Sequence, residues 1–236
     1  MSRSFLLLNP NANISNITFG VEKQPLLKVD SYLTDPQVLI DFAINKNQFS
    51  PSNSFYPGIR MPLPISYIQA LIHNLGADIE ATFGVDLKKI KTAVATFSII
   101  TTPAENLEFF QTIPHFDGLG ENKLAILHYL SDMPDTGTCF YHHKALGYDY
   151  VDDSRYQGYL DYLDEQFKDR NQASDTYICD DSAEFEKIAS YQCVFNRLLI
   201  YKASSLHSGL ITSDYNFDPN PKTGRLTIAS FIEFNP

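Results

Sequence analysis

The spacing of hydrophobic positions changes twice along the chain. Near the N-terminus, short apolar runs (Phe5–Leu8, Ile17–Phe19, Leu26–Val29) alternate with Asn-rich turns, a pattern that predicts short strands. Thr34-Asp35-Pro36 then predicts a helix start, with a capping residue followed by a proline whose missing N–H costs nothing there. Val38, Leu39, Phe42 and Ala43 fall on one face of that helix. The stretch Phe49–Pro64 holds four of the 13 prolines and reads as irregular loop. Ile65, Ile68, Ile72, Leu75 and Ile79, with Leu71 beside them, recur at three- and four-residue steps and predict a second helix with a core-facing stripe. His73 lies beside the stripe and is expected at the surface.

From residue 92 the period becomes that of strands. Thr92–Thr102 is rich in Val, Thr, Phe and Ile. Six more candidates follow: Gln111–Asp117, Lys123–Leu130, Thr138–His142, Val194–Tyr201, Leu206–Ile211 and Arg225–Phe234. Between them Tyr156, Tyr159, Leu160, Leu163 and Phe167 mark one helix, and Phe185, Ile188 and Ala189 a second. Many short strands without alternating helices predict a mainly β (α+β) protein built as a jelly roll rather than a parallel α/β fold. Residues 1–236 are expected to form a single domain. Within it, 1–91 supply strands and supporting helices, 92–234 the sheet core, and about 146–190 a helical insertion.

Composition narrows the function. The formal charge of −10 speaks against nucleic-acid and anionic-membrane partners, both of which need positive faces. With 17 Phe and 14 Tyr and only 19% charged residues, disorder is excluded. Three cysteines (Cys139, Cys179, Cys193) without a CxxC pair point to reduced thiols, and Cys139 and Cys193 are expected to be buried small hydrophobes. No apolar run is long enough for a secretory signal or a membrane span. The expectation is a cytoplasmic protein.

Three groups of residues could carry chemistry. On a strand, His115 and Asp117 of His-Phe-Asp would project to one face, supplying two of the three ligands of a 2-His-1-carboxylate metal site. The third would have to be a histidine on another strand, and His207 in Leu-His-Ser-Gly has apolar or small neighbours that point it inward. Arg225 and Thr227 again share a face, and a guanidinium beside a hydroxyl suits a carboxylate. Arg197 is either salt-bridged or a rival carboxylate ligand. His142 and His143 point to opposite faces, so at most one could reach a metal, and His128 should face away from Tyr129. The Tyr-bearing acidic stretch 148–177, with eight Asp and Glu against three Lys and Arg, reads as a solvated cover over the sheet, the alternative being a lid that suits a cationic or polar organic substrate.

The order HxD, distal His, Arg-x-Thr, together with HFDGLGENKLAILHYLSDMPDTGTCFYHH over 115–143, resembles the Fe(II)/2-oxoglutarate-dependent oxygenase superfamily, nearest its prolyl-hydroxylase-like branch. YPGIRMPLP (56–64) and FNRLLIYKASSLHSG (195–209) are similar to an uncharacterised bacterial group within it. The resemblance implies a double-stranded β-helix and Fe(II) held by His115, Asp117 and His207. It further implies 2-oxoglutarate as co-substrate on Arg225, Thr227 and Tyr129, and O₂ consumed in hydroxylating an unknown substrate, a small molecule or a protein side chain. Two other classes stay open: a cupin-like metalloenzyme working without 2-oxoglutarate, and a jelly-roll binding module without turnover. A carboxylate clamp argues against the first.

Overall fold

The computed structural model describes residues 6–52, 55–168 and 176–236. It is mainly β. Eleven strands and three α-helices run in the order β1 (Asn13–Phe19), β2 (Gln24–Asp30), α1 (Gln37–Lys46), β3 (Ser50–Pro51), β4 (Gly58–Pro62), α2 (Ser66–Phe83), β5 (Ile90–Ile100), β6 (Lys123–Tyr129), β7 (Met133–His143), α3 (Tyr156–Gln166), β8 (Phe185–Cys193), β9 (Leu198–Lys202), β10 (His207–Ile211) and β11 (Thr227–Phe234). An eight-stranded sheet has the order β1-β2-β9-β6-β11-β5-β4-β3, and a second sheet the order β10-β7-β8, with antiparallel pairing throughout.

The central strands of the eight-stranded sheet are buried on both faces, which is why β6 and β9 read as near-continuous apolar runs. On one face Leu124 and Ile126 of β6, Leu198 and Ile200 of β9, and Ile228 and Ile232 of β11 pack with α1 and α2 through Leu39, Ala43, Ile68, Leu71, Leu75 and Ile79. The alternate residues of the same strands (Ala125 and Tyr129, Leu199 and Tyr201) turn to the other face and meet Phe140 of β7. A strand's period of two thus splits one sequence between two cores. Of the stripe predicted for α2, Ile68, Leu71, Leu75 and Ile79 are buried and Ile72 is half-buried, but Ile65 precedes the helix and is exposed, as is His73. Helix α1 starts where the Thr-Asp-Pro signal put it, with Pro36 at its N-terminal boundary and Asp35 Oδ1 accepting from the Gln37 amide at 3.2 Å.

Several local expectations change. Phe185–Ala189 is not helical: it opens β8, because pairing with β7 over residues 137–143 outweighs a three-to-four spacing that is also compatible with a half-buried strand. Gln111–Asp117 is not a strand either. Phe109–Gln111 forms a 3-10 turn, Pro114 offers no N–H, and the segment joins β10 through a single bridge, His115 to His207. The proline-rich stretch Phe49–Pro64 contains β3 and β4, with Pro57 and Pro62 at or beside the ends of β4, where a ladder tolerates them. The last strand begins at Thr227, so Arg225 lies in the turn before it. β9 begins at Leu198, so Arg197 precedes it too. Leu8 makes only an isolated bridge to Leu33. Phe5, residues 53–54 of the proline-rich stretch and residues 169–175 of the acidic cover lie outside the described residues. Among the described residues no helix is long and apolar enough to cross a membrane.

Candidate functional site

A cavity of about 570 Å³ opens on the inner face of the large sheet. Its walls come from β4, β5, β6, β7, β10 and β11, and from the segment 110–117, with Tyr159, Leu160 and Leu163 of α3 over one side. His115, Asp117, His207, Thr138, Arg225 and Thr227 all line it.

One reciprocal backbone bridge aligns the first cluster. The His115 amide donates to the His207 carbonyl and the His207 amide to the His115 carbonyl, both at 2.8 Å. That pairing puts the two imidazoles on the same side, with ring centroids 4.3 Å apart. A further backbone bond, Asp117 N–H to Ala203 O at 2.7 Å, brings the carboxylate alongside. One potential ligand atom from each of His115, Asp117 and His207 falls within 4.8 Å of the others. The in-and-out parity expected of a strand therefore holds, although the segment is not one.

The donor chemistry of this cluster is specific. His207 Nδ1 lies 2.9 Å from the Ser205 carbonyl oxygen, which can only accept, so Nδ1 carries a proton. Its Nε2 then faces Asp117 Oδ2 at 3.3 Å. With neutral His207 these are two acceptors aimed at each other, an arrangement that needs a cation: either a second imidazole proton or a metal ion. The electrostatics agree. Burial pushes the Asp117 carboxyl up, but the facing His207, with further help from His115 and Lys123, outweighs it and holds the group below the usual carboxylate range. Burial and the neighbouring His207 push His115 down to about 4, against the pull of Asp117, so His115 is a neutral donor near pH 7. His207 is raised: burial opposes its charge, and Asp117 more than compensates.

Arg225 sits at the far end of the same cavity, 3% exposed. Its Nε donates to Thr136 Oγ1 at 3.1 Å and its Nη2 to Gly137 O at 2.8 Å. Among the described residues no carboxylate comes within 4 Å of it. The Tyr129 ring lies beneath the guanidinium at 5.5 Å, and the Tyr129 hydroxyl meets Thr138 Oγ1 at 2.7 Å. Thr227 Oγ1 donates to Ser98 O at 3.1 Å. The turn that aims Arg225 depends on Gly224, where a Cβ would stand 2.2 Å from the Asp218 carbonyl oxygen. Gly224→Ala must displace that turn, and should lower stability by about 1–3 kcal/mol, read as a falling Tm.

The rival residues lie elsewhere. Arg197 ion-pairs with Asp30 of β2 through Nε and donates to Gln192 O at 3.1 Å, away from the cavity lining. Arg197→Ala is expected to cost about 1 kcal/mol at most, as a partly exposed pair does, and to leave the cavity's ligand affinities unchanged in calorimetry. His142 pairs with Asp149 at 2.6 Å, and His143 is buried among the rings of Tyr159, Tyr162 and Phe185. His128 points away from Tyr129 to the helix side, where Tyr67 and Asn196 each stand 3.2 Å from a ring nitrogen and burial pushes it down to about 4. Cys139 and Cys193 are buried. The sequence pattern did not single out Tyr56 and Arg60, both of which line the cavity. The one signal for Arg60 was a charge between the apolar Ile59 and Met61, the alternation of a strand with one buried face.

Known structures of the same fold, all at low sequence identity, include the following three. A prolyl-4-hydroxylase from Pseudomonas putida superimposes with a TM-score of 0.51 at 9% identity, covering 92% of this chain and 96% of its own. HygX from Streptomyces hygroscopicus, solved with nickel and 2-oxoglutarate bound, gives 0.51 at 14%, covering 91% and 84%. The non-heme alpha-ketoglutarate-dependent carbocyclase SnoK from nogalamycin biosynthesis gives 0.51 at 12%, covering 90% and 81%. The model of a family of unknown function, DUF6445, matches residues 10–232. No curated protein matches the chain in sequence.

Proposed function

We propose that this chain, which belongs to the DUF6445 family, is an Fe(II)- and 2-oxoglutarate-dependent oxygenase that hydroxylates an organic substrate. In this reading it stands in the prolyl-hydroxylase-like branch, in an uncharacterised bacterial group. The strands of its two sheets that lie within residues 92–234 form the halves of a double-stranded β-helix, extended and supported by residues 1–91 and covered by the inserted segment between β7 and β8, all within one domain. It works in the cytoplasm, in keeping with three unpaired cysteines.

The observation that carries the reading is the pairing of two groups in one cavity. At one end two imidazoles and a carboxylate converge; at the other a buried guanidinium has no carboxylate partner among the described residues. A metalloenzyme working without an oxo-acid co-substrate has no use for the second group. Burying an unpaired cation is costly unless a ligand completes it.

The residues fit the cofactors. His115, Asp117 and His207 would hold Fe(II): two nitrogen donors and one carboxylate are the set that retains this ion while leaving positions open. The Ser205 carbonyl fixes the His207 tautomer, as an outer hydrogen bond to a ligating histidine does. Arg225 would pair with the distal carboxylate of 2-oxoglutarate, with Thr227 and Tyr129 beside it. Bound iron and 2-oxoglutarate together supply activation of O₂ coupled to oxidative decarboxylation. The chain's own contribution is to orient the co-substrate between Arg225 and the ligand cluster and to keep water away with Phe116, Tyr159 and Tyr201.

The test is product formation. Purified protein given Fe(II), ascorbate and 2-oxoglutarate should release succinate and CO₂ in equal amounts, faster when a substrate is present. Iron-dependent turnover that ignores 2-oxoglutarate would favour the cupin-like class instead.

A further inference from the structure

Arg60 is a cation of this cavity to which the assignment of iron and 2-oxoglutarate gives no task. It lies on β4 opposite Ser98 of β5, Ser98 lies opposite Thr227 of β11, and Thr227 opposite Tyr129 of β6. Residues directly opposite in a ladder share a face, so Arg60, Ser98, Thr227 and Tyr129 form one polar row across the inner side of the sheet. The Arg60 guanidinium stacks 4.1 Å above the Tyr56 ring, which fixes its direction. The two arginines serve different ends of the row. The charge of Arg60 acts on Tyr56, Asp117 and His115, and that of Arg225 on Cys193, Tyr129, Tyr56 and Tyr215, so the two share Tyr56 and only Arg60 is seen acting on the His-Asp cluster.

Charge and shape then narrow what binds there. Among the described residues, and apart from histidines, the charged residues lining the cavity are Arg60, Arg225 and Asp117, two positive and one negative, in a protein of net charge −10. A divalent metal adds two positive charges and the 2-oxoglutarate dianion removes two, so the lining keeps its single positive excess. The mouth is aromatic. Phe55 and Phe110 remain 64% and 46% exposed with ring centroids 6.1 Å apart, and the Gln111 side-chain amide donates to Phe55 O at 2.9 Å, tying the two segments together. Phe116 continues that wall toward His115 and Asp117.

We propose that Arg60, braced on Tyr56, is a specificity-determining residue that binds a carboxylate of the prime substrate, an organic acid whose apolar, ring-sized body lies against Phe55 and Phe110. The substrate role rests on the oxygenase reading; the anion subsite itself does not. The guanidinium fork pairs both oxygens of a carboxylate and discriminates against an alcohol or amine of the same shape.

The experiment is calorimetry on the full chain without metal, using 3-phenylpropionate, 3-phenylpropanol and 3-phenylpropylamine as probes. Wild type should bind the acid about tenfold or more tighter than the other two, a margin typical of charge-assisted recognition. Arg60→Met should reduce the acid to the level of the alcohol without changing the alcohol, Arg60→Lys should keep part of the preference, and Arg225→Met all of it. No binding by wild type, a preference that survives Arg60→Met in folded protein, or one lost in Arg225→Met would each overturn the proposal. If Arg60→Met does not fold, a weakened or lost preference in Arg60→Lys supports the proposal and its full retention overturns it. A parallel anaerobic titration of the Fe(II) protein with 2-oxoglutarate separates the two readings. Arg60→Met should bind the co-substrate as wild type does; if it fails to, Arg60 belongs to the 2-oxoglutarate clamp and the subsite falls while the oxygenase reading stands. If wild type itself binds none, the oxygenase reading falls, and the three metal-free probes still decide the subsite.

Discussion

Asp117→Ala is expected to abolish stoichiometric Fe(II) binding in a protein that still folds. Asp117 is the one anionic donor of the cluster; without it two neutral imidazoles face a divalent ion with no charge compensation. Loss of an outer-shell partner alone typically costs 10–100-fold in metal affinity, so loss of a direct ligand should exceed about 100-fold. Folding should survive, since the carboxylate is at the cavity wall and the backbone bond of residue 117 to Ala203 is untouched by the change. The measurement is metal content after equilibrium dialysis, with the melting curve as control. An Asp117→Ala protein that retains one Fe(II) per chain would remove Asp117 from the site.

The second large effect concerns the other end of the cavity. In Arg225→Met, 2-oxoglutarate affinity should fall by well over tenfold, because hydrogen bonds to charged groups are worth about 1.5–3 kcal/mol each. Fe(II) affinity should not move, since Arg225 touches none of the three ligands. The apo protein should melt no lower than wild type. Methionine fills most of the volume, a buried cation without a carboxylate partner is removed, and Thr136 Oγ1 keeps its bond to Met133 O at 2.9 Å. That pattern separates a lost ligand contact from general damage. Unchanged 2-oxoglutarate binding in Arg225→Met would show that the clamp lies elsewhere.

How far these features could be read from sequence depends on how local their causes are. The α2 stripe was legible because a helix packed on one side must repeat every three to four residues. The sheet core was legible as a region, but β8 was not: Phe185, Ile188 and Ala189 satisfy a helical spacing, and what decides the matter is pairing with β7, some fifty residues earlier in the chain. The shared side of His115 and Asp117 was legible, but for a reason that holds only in part. His115 and Asp117 do share a face, yet the strand thought to impose this is only one reciprocal bridge to His207. Arg197 was ambiguous because its partner, Asp30, is 167 positions away with no local sign of the pairing. Arg60 was hidden by its prolines. Pro57 and Pro62 made the segment read as loop, although both stand where a short strand begins and ends.

One measurement bears most directly on the central claim that a metal site and a carboxylate clamp share one cavity. Anaerobic Fe(II) protein titrated with 2-oxoglutarate should develop a visible charge-transfer absorption that saturates at one co-substrate per chain, as chelation of iron by an oxo acid requires. The absorption should be absent in Asp117→Ala and should need far more 2-oxoglutarate in Arg225→Met. An iron-loaded wild type that shows no such absorption at saturating 2-oxoglutarate, or one whose absorption persists in Asp117→Ala, would contradict it.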